Sequence, residues 1–259
     1  MFISKFSFTA SKTLIIICIN ILSLRLENYL MKKKTIIALA VIFGILILDQ
    51  IIKIWVKTNM VMGEEINIIG DKIKLHFTEN PGMGFGMELG GLGGKIALSI
   101  FRIVAIVGLS YYLYRIIKSG ENLLYVICIS MVIAGATGNL IDSAFYGLIF
   151  NKGMVYDPAI KEWVAYSGLA QFSKDGYSGF LIGVVVDMFY CPVISSHYPK
   201  WFPFVGGDPF LFFRPVFNVA DSVITISVFI MIIFYKKIFR KNTDKDIRED
   251  KNPEIVSVE

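Results

Sequence analysis

Four uninterrupted apolar blocks, residues 35–55, 96–114, 123–141 and 217–235, constrain this chain more than any other feature. Each is long enough to cross a hydrocarbon core of ~30 Å, which takes about 20 helical residues. Apolar residues gathered in blocks, rather than in amphipathic stripes, mark lipid as the solvent. Composition agrees: 55% of the 259 residues are hydrophobic and 18% are charged, with a mean hydropathy of +0.62. A soluble domain carries roughly 25% charged residues. The expected fold is an all-α membrane protein with four transmembrane helices and a small β-containing extracytoplasmic layer.

Basic flanks orient the blocks. Lys32, Lys33 and Lys34 precede the first, Arg115 and Lys118 separate the second from the third, and Lys236, Lys237, Arg240 and Lys241 follow the fourth. The excess of Lys and Arg in cytoplasmic loops places all three groups inside, with both termini. Segments 56–95 and 142–216 then face outward and hold most of the irregular Gly-, Pro- and aromatic-rich sequence, so any chemistry should sit at the outer face. Residues 1–30 contain only a short apolar stretch at 14–22, and Met31 with its triple Lys is a more natural beginning. They are read as a dispensable extension, or else an interfacial helix. Residues 31–241 form the four-span unit, and 242–259 a disordered, charged cytoplasmic tail. The aromatic concentration from Trp201 to Phe213 reads as an interfacial belt.

The net charge of +5 does not indicate nucleic acid, because the basic residues sit beside apolar blocks without interleaved aromatics. Cys18, Cys128 and Cys191 are far apart, and His76 and His197 are isolated. Neither a disulfide framework nor a His-based metal site or triad is expected.

Ionisable groups in or beside membrane spans are costly, and are functional candidates for that reason. Asp49 and Lys53 share a helix face at i,i+4, in the outer half of the first block, as an ion pair or as part of a site. The third block ends in small residues, 135-GATGNLID-142, which permit close packing and put Asn139 and Asp142 at i,i+3. The fourth begins 217-FNVADS-222, with Asn218 and Asp221 repeating that spacing; capping explains Asn218 but not an acid inside the helix. Asp187 lies in a strand-like run, 184-VVVDMF-189, whose desolvation should raise its pKa. Acids meeting at one outer surface can work as paired carboxyls, one donating a proton while the other activates water. Such a reaction needs no metal or other cofactor, since the protonated acid and donors such as Asn80 or Asn218 can meet the developing charge. A proton-coupled transporter or channel subunit is the alternative, although transporter sites lie near the midplane.

Five elements in this order resemble the lipoprotein signal peptidase (signal peptidase II) family: 49-DQIIK-53, 80-NPGMGFG-86, 135-GATGNLID-142, 185-VVDMF-189 and 217-FNVADS-222. The resemblance implies a bacterial inner-membrane aspartic endopeptidase that removes the signal peptide of diacylglyceryl-modified prolipoproteins, cutting before the lipidated cysteine. It implies Asp187 and Asp221 as the catalytic pair. Asp49, Lys53, Asn80, Gly82, Asn139, Asp142, Asn218 and Ala220 would line or shape the substrate site. The expected partners are the prolipoprotein and membrane lipids, and the expected state is a monomer. Two departures from the family pattern stand out. Ser143 follows Asp142 where the family commonly has Arg, with Arg214 as a candidate substitute. Residues 146–183 look like an insertion, read as an exposed, mobile excursion rather than core.

Overall fold

The computed structural model describes residues 2–70, 72–82, 91–192, 194–197, 209–212 and 216–239. In chain order they form α1 (Phe2–Asn59), β1 (Glu65–Ile69), β2 (Ile73–Asn80), α2 (Gly91–Lys118) and α3 (Leu123–Ile141). A π-helical turn, Asp142–Tyr146, and one turn of helix, α4 (Gly147–Ile149), follow. Then come β3 (Val155–Asp157), β4 (Glu162–Val164), β5 (Val185–Tyr190), β6 (Ile194–His197), β7 (Pro209–Phe212) and α5 (Val219–Ile233). The protein is mostly helical with small sheets. The aromatic run from Trp201 to Phe213 lies mainly outside the described residues, as does the tail from 240 onward.

Among the described residues, three helical segments are long and apolar enough to cross a membrane: Asn20–Asn59, Gly91–Lys118 and Leu123–Ile149. The third is the hub: 56% of its 18-residue apolar stretch is buried, against 11% for each of the other two. Its neighbours expose Phe43, Ile47, Phe101 and Val104, the side chains that lipid would solvate.

The fourth block departs from its expected boundaries. α5 has 15 residues, about 22 Å at 1.5 Å per residue and short of the ~30 Å core. Phe217 is consumed in a β-bridge with Phe189, and Asn218 caps the helix. At the other end Phe234 leaves helical geometry, with helix resuming over 235–239.

One end of the bundle is tied by backbone carbonyls. Lys34 Nζ donates to the carbonyls of Gly120 (2.9 Å) and Glu121 (2.5 Å) in the turn between α2 and α3, and Asn122 Nδ2 donates to the Lys237 carbonyl at 3.3 Å. The described members of the three basic groups singled out by the sequence therefore share one end. An apolar cluster that includes Ala38, Leu113, Val126 and Ile238 fills the space above it.

At the opposite end a second cluster joins Val56 and Met60 of α1 to Phe77, Val186 and Met188 of the sheet. The sheet order is β1-β2-β5, antiparallel throughout, with Thr78 opposite Asp187 and Asn80 opposite Val185. Residues 146–183 are mostly exposed or half-buried, as expected of an excursion, but part of the segment enters the core. Tyr146, Phe150 and Ala170 are buried in this cluster, because large aromatic side chains on the segment supply apolar area that the three-stranded sheet lacks. The π-helical turn helps to seat it: the Ser143 carbonyl accepts a hydrogen bond from Gly183 N at 2.9 Å.

Gly135 lets α3 and α5 touch. A Cβ there would lie 2.5 Å from the Ala220 carbonyl oxygen and 2.6 Å from Ile224 Cγ1. Gly135→Ala should therefore lower stability by about 1–3 kcal/mol. Gly108→Ala on α2, where an added Cβ meets nothing within 4 Å, should be neutral or stabilising. Thermal unfolding of both variants in detergent checks the pair; equal melting temperatures would contradict the close approach.

Candidate active site

The site is built outward from one ammonium group. Lys53 is fully buried, and its Nζ reaches Asp142 Oδ2 at 2.8 Å, Asn139 Oδ1 at 2.9 Å and Asp49 Oδ2 at 3.0 Å. An ammonium has three donors, and these three acceptors from α1, α3 and the start of the π-helical turn match them. Burying an unpaired charge is severely costly, so the match is what allows Lys53 to sit here. The i,i+4 pair with Asp49 forms as the sequence spacing indicates, but it is one limb of a larger cluster.

Both carboxylates also hold backbone. Asp49 Oδ1 accepts from Ala220 N at 3.1 Å, at the positive end of α5, and Asp142 Oδ2 accepts from Val186 N at 3.3 Å, one residue before Asp187. Gln50 braces the pair, donating to Asp142 Oδ1 at 2.9 Å and Asp49 Oδ2 at 3.2 Å while its Oε1 accepts from the Tyr146 hydroxyl at 3.1 Å. Gly138 makes room, since a Cβ would stand 2.6 Å from Asp49 Oδ2.

Two asparagines carry this order to Asp187 and Asp221. Asn139 Nδ2 donates to Asp221 Oδ1 at 2.9 Å. Asn218 Nδ2 spends its two hydrogens on Asn139 Oδ1 (3.0 Å) and Asp187 Oδ1 (2.6 Å). Asn218 also caps α5: its Oδ1 accepts from Asp221 N at 3.0 Å, while Asp221 Oδ2 accepts from Asn218 N at 3.4 Å. This reciprocal capping box explains how an acid near the start of α5 is held in place. The other oxygen of Asp187 accepts from Asn80 Nδ2 at 3.1 Å, and Asn80 Oδ1 in turn accepts from Gly82 N at 2.8 Å. Gly82 has φ +113°, which other residues rarely adopt.

The structure therefore joins Asp49, Lys53, Asn80, Gly82, Asn139, Asp142, Asp187, Asn218, Ala220 and Asp221 in one network. Asp187 is buried, and burial, followed by the charge of Asp221, pushes its carboxyl up to about 7; the hydrogen bonds from Asn80 and Asn218 and the charge of Lys53 oppose the rise. A carboxyl that keeps its proton near neutrality, beside a second carboxyl, can donate while its partner accepts.

Ser143 is met from α2. Its Oγ donates to the Asn139 carbonyl at 3.0 Å and receives Lys95 Nζ at 3.0 Å and Arg102 Nη1 at 3.2 Å. The proposed substitute, Arg214, lies outside the described residues. Sequence reasoning passed over Gln50, Lys95 and Arg102. The cost of a charge beside or inside an apolar block applies to both cations as it does to Asp49, and their i,i+7 spacing puts them on one face two turns apart.

The family model for Signal peptidase (SPase) II matches residues 41–237. The chain belongs to this family. The lipoprotein signal peptidase of Porphyromonas gingivalis strain ATCC 33277 is 43% identical over 201 residues, covering 76% of this chain and 82% of that one. The lipoprotein signal peptidase of Amoebophilus asiaticus is 32% identical over 190 residues, covering 72% of each chain. Membership in the signal peptidase II family makes the chain a membrane protease and leaves the transporter alternative without support.

Lys53→Met removes the cation that holds two buried carboxylates together. It should destabilise the protein by about 3–5 kcal/mol, the usual cost of breaking a buried ion pair by deleting one partner. Thermal unfolding in detergent measures this, and an unchanged melting temperature would show that the cluster does not organise the fold.

Proposed function

We propose that Asp187 and Asp221 are the catalytic pair of an aspartic endopeptidase working at the outer face of the bacterial inner membrane. The chain acts in removing signal peptides from prolipoproteins, as its family does. The observation that carries the pair is the link through Asn218 and Asn139, which orients both carboxyls in one polar network and keeps Asp187 buried.

With one proton held by the pair, the ionised member takes a proton from water as the water oxygen adds to the scissile carbonyl carbon. The protonated member donates to the carbonyl oxygen. Collapse of the tetrahedral intermediate breaks the C–N bond, releasing a new carboxyl on the signal peptide and, after proton transfer, an amine on the diacylglyceryl-modified cysteine. The sequence suggests Asn218 as a donor to the developing charge, but its amide hydrogens are both engaged; its role is to orient Asp187. The intermediate's charge then falls to the protonated acid, with Asn80 the other donor the sequence suggests.

The outward-facing site, both termini inside and a fourth crossing by α5 with the helical turn after it belong to the same reading. Support comes from the basic groups tied at one end by Lys34 and Asn122, opposite the carboxylate network. Residues 31–241 are the peptidase unit, within which the family match falls, and a single copy of the chain supplies every group in the network.

Asp187→Asn and Asp221→Asn should each lower single-turnover cleavage of a diacylglyceryl prolipoprotein by several orders of magnitude without unfolding the protein. Near-normal turnover by either would defeat the pair. The raised Asp187 carboxyl also fixes a sign. The proton is bound more tightly in the folded protein, so stability from this group is complete below its ordinary value of 3.8 and is lost as pH rises through about 7. Activity should fall over the same alkaline limb as the pair loses its shared proton, giving a bell-shaped profile of rate against pH.

A further inference from the structure

The Lys57–Glu79 ion pair takes no part in the carboxylate network, yet it is buried one residue away from Asn80. Lys57 comes from the end of α1 and Glu79 from β2, and the 146–183 segment supplies Phe150, Met154, Tyr166 and Tyr177 around the pair. The rings of Phe150, Tyr166 and Tyr177 surround Lys57 Nζ at 5.2, 5.3 and 5.2 Å, within cation–π range. Glu79 Oε1 accepts from the Tyr166 hydroxyl at 3.2 Å, and Oε2 accepts from Met154 N at 2.7 Å. Tyr177 also reaches the sheet, where its hydroxyl accepts a hydrogen bond from Val184 N at 3.0 Å, three residues before Asp187.

The enclosure thus grips both strands that carry the Asn80–Asp187 hydrogen bond. It holds β2 through Glu79, which stands opposite Val186, and it holds the entry to β5 through Val184. A sheet register is otherwise fixed only by ladder bonds and side-chain burial, and this one carries an irregularity between Leu75 and Thr78, just before these residues.

We propose that the aromatic enclosure of the Lys57–Glu79 pair is a positioning device for the reaction, which fixes β2 against β5 and so sets Asn80 against Asp187. The inference rests on Asp187 being one of the catalytic pair. Phe150, Tyr166 and Tyr177 touch none of the reacting carboxyls; they act through Asn80. The inserted segment is then part of the catalytic apparatus without carrying a catalytic group.

The test keeps the rings and removes the hydroxyls. Tyr166→Phe, Tyr177→Phe and the double variant are purified as full chains, and kcat, KM and the pH profile are measured on a diacylglyceryl prolipoprotein. Loss of one or two oriented hydrogen bonds should lower kcat about tenfold with little change in KM. Asn80 stabilises the ionised form of Asp187, so a loosened Asn80 should move the alkaline limb to higher pH. Asp221 on α5, Lys53 on α1 and Lys95 and Arg102 on α2 also act on Asp187 and are unchanged in these variants. Asn80→Ala should produce the same shift, and adding it to the double Tyr variant should move the limb no further, because both act on one hydrogen bond. Folded variants that lose thermal stability but keep the wild-type limb and kcat would overturn the proposal, as would full additivity with Asn80→Ala. Failure of both single variants to fold would also overturn it, in favour of a purely structural role. Asp187→Asn separates the two levels: if it remains active the catalytic pair falls, whereas if it is inactive while the Tyr variants behave as wild type only the positioning role falls.

Discussion

A buried ammonium with three acceptors holds this structure together. Lys53 lies in an environment that would expel an unpaired charge, and only simultaneous contact with Asp49, Asn139 and Asp142 makes its burial tolerable. Those acceptors come from two helices and the turn that follows, so satisfying the charge also fixes α1 against α3. Asp49 then captures the backbone of Ala220 and Asp142 that of Val186, which brings in α5 and β5. The elements bearing Asp187 and Asp221 are placed by the same cluster that satisfies Lys53.

Backbone geometry makes the convergence possible. Gly135 and Gly138 clear one face of α3 for α5 and for the Asp49 carboxylate. The π-helical turn directly after α3 keeps Asp142 and Ser143 buried and turns a carbonyl toward Gly183, where the inserted segment returns to the sheet. Such turns are frequent at functional sites because they redirect side chains and free backbone groups without ending a helix. Lys95 and Arg102 reach the same turn from α2 through Ser143, so positive charge borders the network from a second direction.

Much of this was legible in the sequence wherever a local rule applied. Asp49 and Lys53 at i,i+4 had to share a face, Asn139 and Asp142 had to leave α3 together, and an acid within a valine run had to be desolvated on a strand. α3 itself begins and ends where its apolar block does. Other features depend on partners distant in sequence. α5 is shorter than its apolar block partly because Phe217 pairs with Phe189, which local hydropathy does not show, whereas the Asn218 cap at its start is local and was legible. Residues 146–183 look polar and irregular, and the seating of Phe150, Tyr166 and Tyr177 follows from Lys57 and Glu79, charges about 70 to 120 residues away that need enclosing. Lys95 and Arg102 were open to the rule that flagged Asp49, but their partner is a serine, and a hydroxyl gives no charge pattern to search for.

The central claim is that the network delivers one proton to a carboxyl pair near neutral pH, with Asp187 as the group that burial forces to keep it. Infrared spectroscopy of the detergent-solubilised protein carrying isotopically labelled aspartate, titrated from acid to alkaline pH, reads this directly through the carbonyl stretch of protonated carboxyls. The account predicts a protonated band that disappears with a midpoint near pH about 7 and is missing from Asp187→Asn. A band that persists unchanged in Asp187→Asn, or the lack of any carboxyl titrating in that range in the unaltered protein, would contradict it.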